Sequence, residues 1–127
     1  MTAVLEQERD PTMQFTHVTT LTTKPGQMRD FLRKVEIELL PLYRELPGFV
    51  AYTVAKTGES TAVGFGIWQT RQQAEQAIKT SDLWMKQSSG ILIDSLHNSI
   101  GDLPFLAVTR DLLAVYSSSA GVVDAHV

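Results

Sequence analysis

The side chains able to do acid–base or nucleophilic chemistry in this sequence are few and scattered. It holds three imidazoles, His17, His97 and His126, and no cysteine. An imidazole with a reference pKa of about 6.5 suits proton abstraction near neutrality. His17 falls in the middle of an alternating segment and is the candidate catalytic residue, as a base or as a hydrogen-bond donor to a substrate oxygen. The competing reading is a satisfied structural histidine in a half-buried strand, because no sequence-local carboxylate stands ready to orient it. Asp94 and His97 lie three apart in a stretch that reads as helical, so they could form an oriented acid–base pair, although any solvated helical face produces that spacing. The dispersed histidines make no metal-ligand pattern, and the missing thiol removes disulfides, thiolate nucleophiles and Cys-ligated metals. Glycine-rich phosphate loops and a Ser-His-Asp order are absent, which leaves phosphoryl transfer and nucleophilic hydrolysis without support.

Aromatic residues supply a second set of candidates. Trp68 shares its strand face with Gly64 and Gly66, so this corner is either a pocket wall with room for a flat ligand or a tryptophan closing the core above a closely packed helix. Tyr52, Trp84 and Arg110 are further pocket candidates. The substrate-binding set is therefore Trp68, Tyr52, Trp84, Gly64 and Gly66, with no metal site and no cofactor.

These residues need elements to hold them. Residues 1–12 are polar and unpatterned and read as a flexible leader. From Met13, Phe15, His17, Thr19 and Leu21 alternate with Thr16, Val18, Thr20 and Thr22, which predicts a strand closed by Lys24-Pro25-Gly26. Met28, Phe31, Leu32, Val35, Leu39, Leu42 and Leu46 recur at helical spacing, with Pro41 expected to kink or divide the helix near Leu40. After the Leu46-Pro47-Gly48 stop, residues 49–56 and 61–69 form a predicted hairpin around Thr57-Gly58-Glu59-Ser60. Thr70 with Gln73 makes a capping box for a second helix, whose inner stripe is Ala74, Ala77, Ile78, Ser81 and Met85. Gly90 interrupts it. Residues 91–100 read as a further short helix and 105–110 as the last strand, with a possible continuation to Tyr116. The domain spans residues 13–116, and 117–127 form a tail.

Strand–helix–strand–strand–helix–strand is the order of a ferredoxin-like α+β fold with an antiparallel sheet and helices on one face. The other face keeps apolar residues: Phe49 or Val50, Phe65 or Gly66, Leu106 or Ala107, depending on register. Burial of that face predicts a homodimer through the sheets.

Composition narrows the class of partner. The chain has 127 residues, 43% of them hydrophobic and 20% charged, which fits one globular domain. A net charge of −3, with basic residues interspersed among acids, argues against a nucleic-acid surface. No apolar run has signal-peptide length or approaches the roughly 18–20 residues of a membrane span, so the expected setting is cytoplasmic and away from membranes.

Four segments carry a family resemblance: Lys24-Pro25-Gly26 after the first strand, Leu46-Pro47-Gly48-Phe49, Gly66-Ile67-Trp68-Gln69-Thr70, and Ser81-Asp82-Leu83-Trp84. Over Met13 to Arg110 the chain resembles the antibiotic-biosynthesis-monooxygenase (ABM) domain family. The resemblance implies a dimeric α/β barrel with a pocket between sheet and helices in each subunit. Its members include cofactor-free oxygenases of aromatic polyketides, quinol oxygenases and haem-degrading enzymes. The haem-degrading branch uses an Asn on the first strand, a Trp within the second helix and a His near that helix's end. Here those positions read Val18 or Thr19, Ala77, and Gln87 or Ser88, so the usual iron ligand is missing and haem degradation is disfavoured.

The first hypothesis is a cofactor-independent monooxygenase acting on an aromatic, quinol-type molecule; the reading of the residues makes His17 the group that handles the proton and Trp68 and Tyr52 the walls. The alternative is a non-catalytic dimer that binds a hydrophobic metabolite or serves in assembly.

Overall fold

The computed structural model describes residues 14–109; the expected leader, Arg110, the possible continuation to Tyr116, the 117–127 tail and His126 lie outside the described residues. Four strands form one antiparallel sheet in the order β2-β3-β1-β4, where β1 is Gln14–Thr23, β2 Phe49–Lys56, β3 Thr61–Trp68 and β4 Ile93–Leu103. This is the ferredoxin-like arrangement, with the long first and last strands paired at one side and the β2–β3 hairpin at the other.

Along β1 the odd-numbered residues His17, Leu21 and Thr23 are buried while Thr20 is exposed. Their partners on β3 are Gly66 for His17, Gly64 for Thr19 and Ala62 for Leu21, and all three are buried. One face of the sheet is therefore an interior built from small β3 residues opposite larger β1 side chains. The opposite face carries Thr16, Val18, Thr20, Val63, Phe65 and Ile67, none of them buried. Phe49 points inward and packs edge-on against Trp68 at 5.5 Å, whereas Phe65 points outward. Leu106 and Ala107 lie beyond the last strand.

The first helical stretch runs as α1 (Met28–Lys34), a π-helical turn (Val35–Leu39) and α2 (Leu40–Glu45), with Pro41 in the first turn of α2. Proline lacks the N–H that would bond four residues back and its ring crowds that carbonyl, so the wider turn before it relieves the conflict. The extra residue moves the buried stripe along by one. Met28, Phe31, Val35, Leu39 and then Tyr43 are buried, while Leu42, expected on the stripe, is 42% exposed. Gly48 then turns the chain at φ +81°, a conformation few side chains tolerate.

The second helix, α3 (Arg71–Trp84), has the expected capping box: Thr70 Oγ1 accepts from the Gln73 N–H and the Gln73 side chain accepts from the Thr70 N–H. It buries Ala74, Ala77, Ser81 and Trp84, then continues as a π-helical turn (Met85–Ser89) and a short 3-10 turn (Gly90–Leu92).

Two sequence expectations are corrected here. Residues 91–100 are not a helix: Ile93–Leu103 is the fourth strand, and residues 104–109 have no regular structure. The pairing shifts between Thr22 and Thr23, whose partners are Ser95 and Ile93, so Asp94 is an extra, bulged residue. The bulge, together with polar Asn98 across from Thr19, spaces Ile93, Leu96 and Ile100 three and four apart and counterfeits a helical stripe. Asp94 and His97 consequently do not form a helical pair; His97 sits opposite Thr20, away from the interior face.

Candidate functional site

The interior face gathers an aromatic cluster around His17. Gly66 lies across from it, and a Cβ on Gly66 would stand 2.2 Å from His17 Cε1, 2.5 Å from Nδ1 and 2.9 Å from Trp68 Nε1. Glycine at this position is what admits the imidazole beside the indole. Trp68 Nε1–H donates to His17 Nδ1 at 2.9 Å, and His17 Nε2 lies 3.4 Å from the Tyr43 hydroxyl. The Tyr52 ring stacks on the imidazole at 6.3 Å between centroids, and Tyr43 meets Tyr52 edge-on at 4.9 Å. Gly64 serves Tyr52 as Gly66 serves His17, with its would-be Cβ 3.1 Å from the phenol oxygen.

Burial sets the ionisation of these groups. His17 and Trp68 are both 0% exposed. Loss of hydration disfavours the imidazolium and lowers the His17 pKa to about 4. The same effect pushes the Tyr52 phenol up to about 12 and the Tyr43 phenol higher still, where repulsion from Tyr52 adds to desolvation. Near neutral pH the cluster is therefore uncharged.

Beside it lies a cavity of about 20 Å³, room for one water molecule. Tyr43, Tyr52, Thr19 and Ser81 supply its polar lining; Leu21, Phe31, Val35, Leu39, Val54, Gly64, Met85 and Leu96 complete the wall. Both π-helical turns contribute, one through Val35 and Leu39 and the other through Met85. Thr19 also hydrogen-bonds Asn98 on β4.

Of the residues singled out in the sequence, Tyr52 and Gly64 line this cavity, while His17, Trp68 and Gly66 stand directly behind its tyrosines. Trp84 is elsewhere. It packs on Phe31 at 6.2 Å and donates to Glu38 Oε1 at 2.9 Å, in a clasp where Ser88 also donates to Glu38 and Lys34 donates to Ser88. These hydrogen bonds from Ser88 and Trp84 hold the Glu38 carboxyl below its usual range. The clasp ties one π-helical turn to the other.

Tyr43 and Ser81 are the cavity groups that sequence reasoning passed over. Pro41 was the available signal for Tyr43, since a wide turn ahead of it shifts the buried stripe from Leu42 to Tyr43. A second hollow, of about 280 Å³ and open, lies toward the outer face among Thr20, Thr22, Thr61, Ser95 and His97. Among the described residues no group of three or more His, Asp or Glu is placed to hold a metal ion, and no helix is long and apolar enough to cross a membrane.

The fold has solved counterparts. A monooxygenase from Streptomyces coelicolor, ActVA-Orf6 in complex with nanaomycin D, is 17% identical and superposes with a TM-score of 0.62 over 80% of this chain and 96% of its own. SnoaB, a cofactor-independent oxygenase from Streptomyces nogalater, is 16% identical, with a TM-score of 0.56 over 76% and 95% of the two chains. A protein of unknown function from Nitrosomonas europaea is 20% identical, with a TM-score of 0.62 over 80% and 99%. No family model matches the sequence, and no curated protein matches it either. The chain thus has the fold of ABM-type proteins, some of which are monooxygenases and others of unknown function. At these identities the likeness concerns the fold, which hosts more than one function.

Proposed function

We propose that this chain binds a small electron-rich aromatic of the quinol or phenol class between sheet and helices and oxygenates it without a metal or organic cofactor. The observation that carries this reading is the cavity wall: two neutral phenols, Tyr43 and Tyr52, set in an otherwise largely apolar lining. Donors held in a water-poor site stabilise an anionic oxygen far better than they do in bulk water. The substrate anion then reduces dioxygen itself. For an anthrone-type methylene, the carbon loses two hydrogens and gains one oxygen from O2, and the second oxygen leaves as water. The fold shared with a monooxygenase and a cofactor-independent oxygenase supports the reading by likeness. Admission of an aromatic ring requires the cavity to widen. The π-helical turns are the places where its wall can yield, because such turns carry a less regular hydrogen-bond ladder.

A second reading, a dimer that binds a hydrophobic metabolite without turning it over, is favoured by one observation: His17, the one imidazole near the cavity among the described residues, has both nitrogens engaged. Aerobic incubation with a panel of quinols and anthrones, followed by oxygen uptake, separates the two. Uptake with incorporation of one oxygen atom supports catalysis, saturable binding without uptake supports the second reading, and neither result rejects both.

The outer sheet face, with Val18, Val63, Phe65 and Ile67, is the surface through which we expect two copies to associate. A monomer mass by light scattering at micromolar concentration would remove that expectation.

A further inference from the structure

The hydrogen bonds around His17 have a direction, and Trp68 sets it. A neutral imidazole carries one N–H and one lone pair. The Trp68 indole can only donate, and it donates to Nδ1. The lone pair is therefore on Nδ1 and the proton on Nε2, which faces the Tyr43 hydroxyl. Tyr43 receives a hydrogen there, so its own proton must point elsewhere. Ser81, a further polar neighbour, gives its proton to the Ile78 carbonyl at 3.0 Å and so has none left to give Tyr43. The hydrogens from Trp68 to His17 and from His17 to Tyr43 therefore run one way. Tyr43 lines the cavity, where an acceptor oxygen can receive its proton.

We infer that His17 is a positioning residue rather than a base: locked by Trp68 as the Nε2–H tautomer, it makes Tyr43 a hydrogen-bond donor to the cavity, which therefore selects ligands presenting an acceptor oxygen, a phenolate or a quinone carbonyl. The selectivity rests on the proposal that a phenolic ligand occupies this cavity; the tautomer does not. With its lone pair held by the indole, His17 has no site left to take a proton without breaking that bond. Gly66 belongs to the same device, since any side chain there would push imidazole and indole apart. A burial-depressed His17 pKa agrees with an imidazole that stays neutral.

The tautomer is read directly from long-range proton–nitrogen NMR spectra of nitrogen-15 histidine-labelled protein, with His97→Gln and His126→Gln isolating the His17 signals. We expect a protonated Nε2 and an unprotonated Nδ1 in the free protein, and a mixed or reversed tautomer in Trp68→Phe. A protonated Nδ1 in the parent protein overturns the inference. The selectivity is read with 4-fluorophenol, followed by fluorine NMR on either side of its own ionisation. The phenolate should bind roughly 10- to 100-fold more tightly than the phenol, the range for a hydrogen bond to a charged group. Tyr43→Phe should erase that preference. Trp68→Phe should also erase it with Tyr43 still present, an effect that a packing role for the tryptophan would not produce. Full preference retained in Trp68→Phe overturns the inference. Failure of the probe to bind the parent protein at either pH rejects the functional proposal and the selectivity together, and the histidine spectrum still decides the tautomer.

Discussion

Replacing Trp68 by phenylalanine isolates one hydrogen bond in the interior. Phenylalanine keeps most of the apolar area against Phe49 and Tyr43, whose rings lie 5.5 and 5.6 Å from the indole, but loses the N–H that satisfies His17 Nδ1 at 2.9 Å. A buried acceptor left without its partner costs about 1–3 kcal/mol. The indole is 0% exposed, so truncation to alanine removes the whole ring and costs about 3–5 kcal/mol before the orphaned acceptor is counted. Against a net stability of roughly 5–15 kcal/mol for a domain of this class, the alanine variant should be barely folded. For a chain of this size 1 kcal/mol corresponds to a shift of roughly 3–6 °C, so the phenylalanine variant should melt about 3–18 °C lower. His17→Leu in the Trp68→Phe background tests the cause, because removing both partners costs less than the sum of the single changes. Urea unfolding of the parent, both single variants and the double variant gives the coupling energy. A Trp68→Phe variant as stable as the parent, or strictly additive changes, would refute the reasoning and leave Trp68 an ordinary apolar anchor.

Gly66→Ala should cost about 1–3 kcal/mol or more, because its Cβ falls 2.2 Å from His17, whereas Gly64→Ala, 3.1 Å from the Tyr52 hydroxyl, should cost less; thermal melts of the pair check the order. Folding stability should fall as pH drops from 6.5 to about 4, since the unfolded chain protonates His17 throughout that window and the folded chain does not. The amount is on the order of 3 kcal/mol, and His17→Gln should flatten the slope in urea titrations across that range. At the alkaline end the sign reverses: Tyr52 at about 12 and Tyr43 above it stay protonated after unfolded tyrosines have ionised, so stability should decline above pH 10. In the ultraviolet difference spectrum the phenolate signal of these two residues should appear together with unfolding.

Local chemistry was enough to read much of this protein from its sequence. Alternation in residues 15–21, the Pro-Gly stops, the hairpin and the Thr70 capping box depend on neighbours within a few positions, and each stands in the structure as read. The order of elements then led to the ferredoxin-like sheet. The last strand was misread because its register is a property of a pair. Only alongside β1 does Asp94 become a bulge and Asn98 an interior residue facing Thr19. The site divided in the same way. His17, Tyr52, Trp68 and the two glycines could be named from residue type and strand parity, because alternate strand residues share a face. That Gly66 makes room for a bond between residues 17 and 68, and that Tyr43 rather than Leu42 meets them, required the sheet register and the π-helical turn before Pro41. Ionisation also lay beyond the sequence, since a histidine near its reference pKa and one depressed to about 4 differ only in what surrounds them.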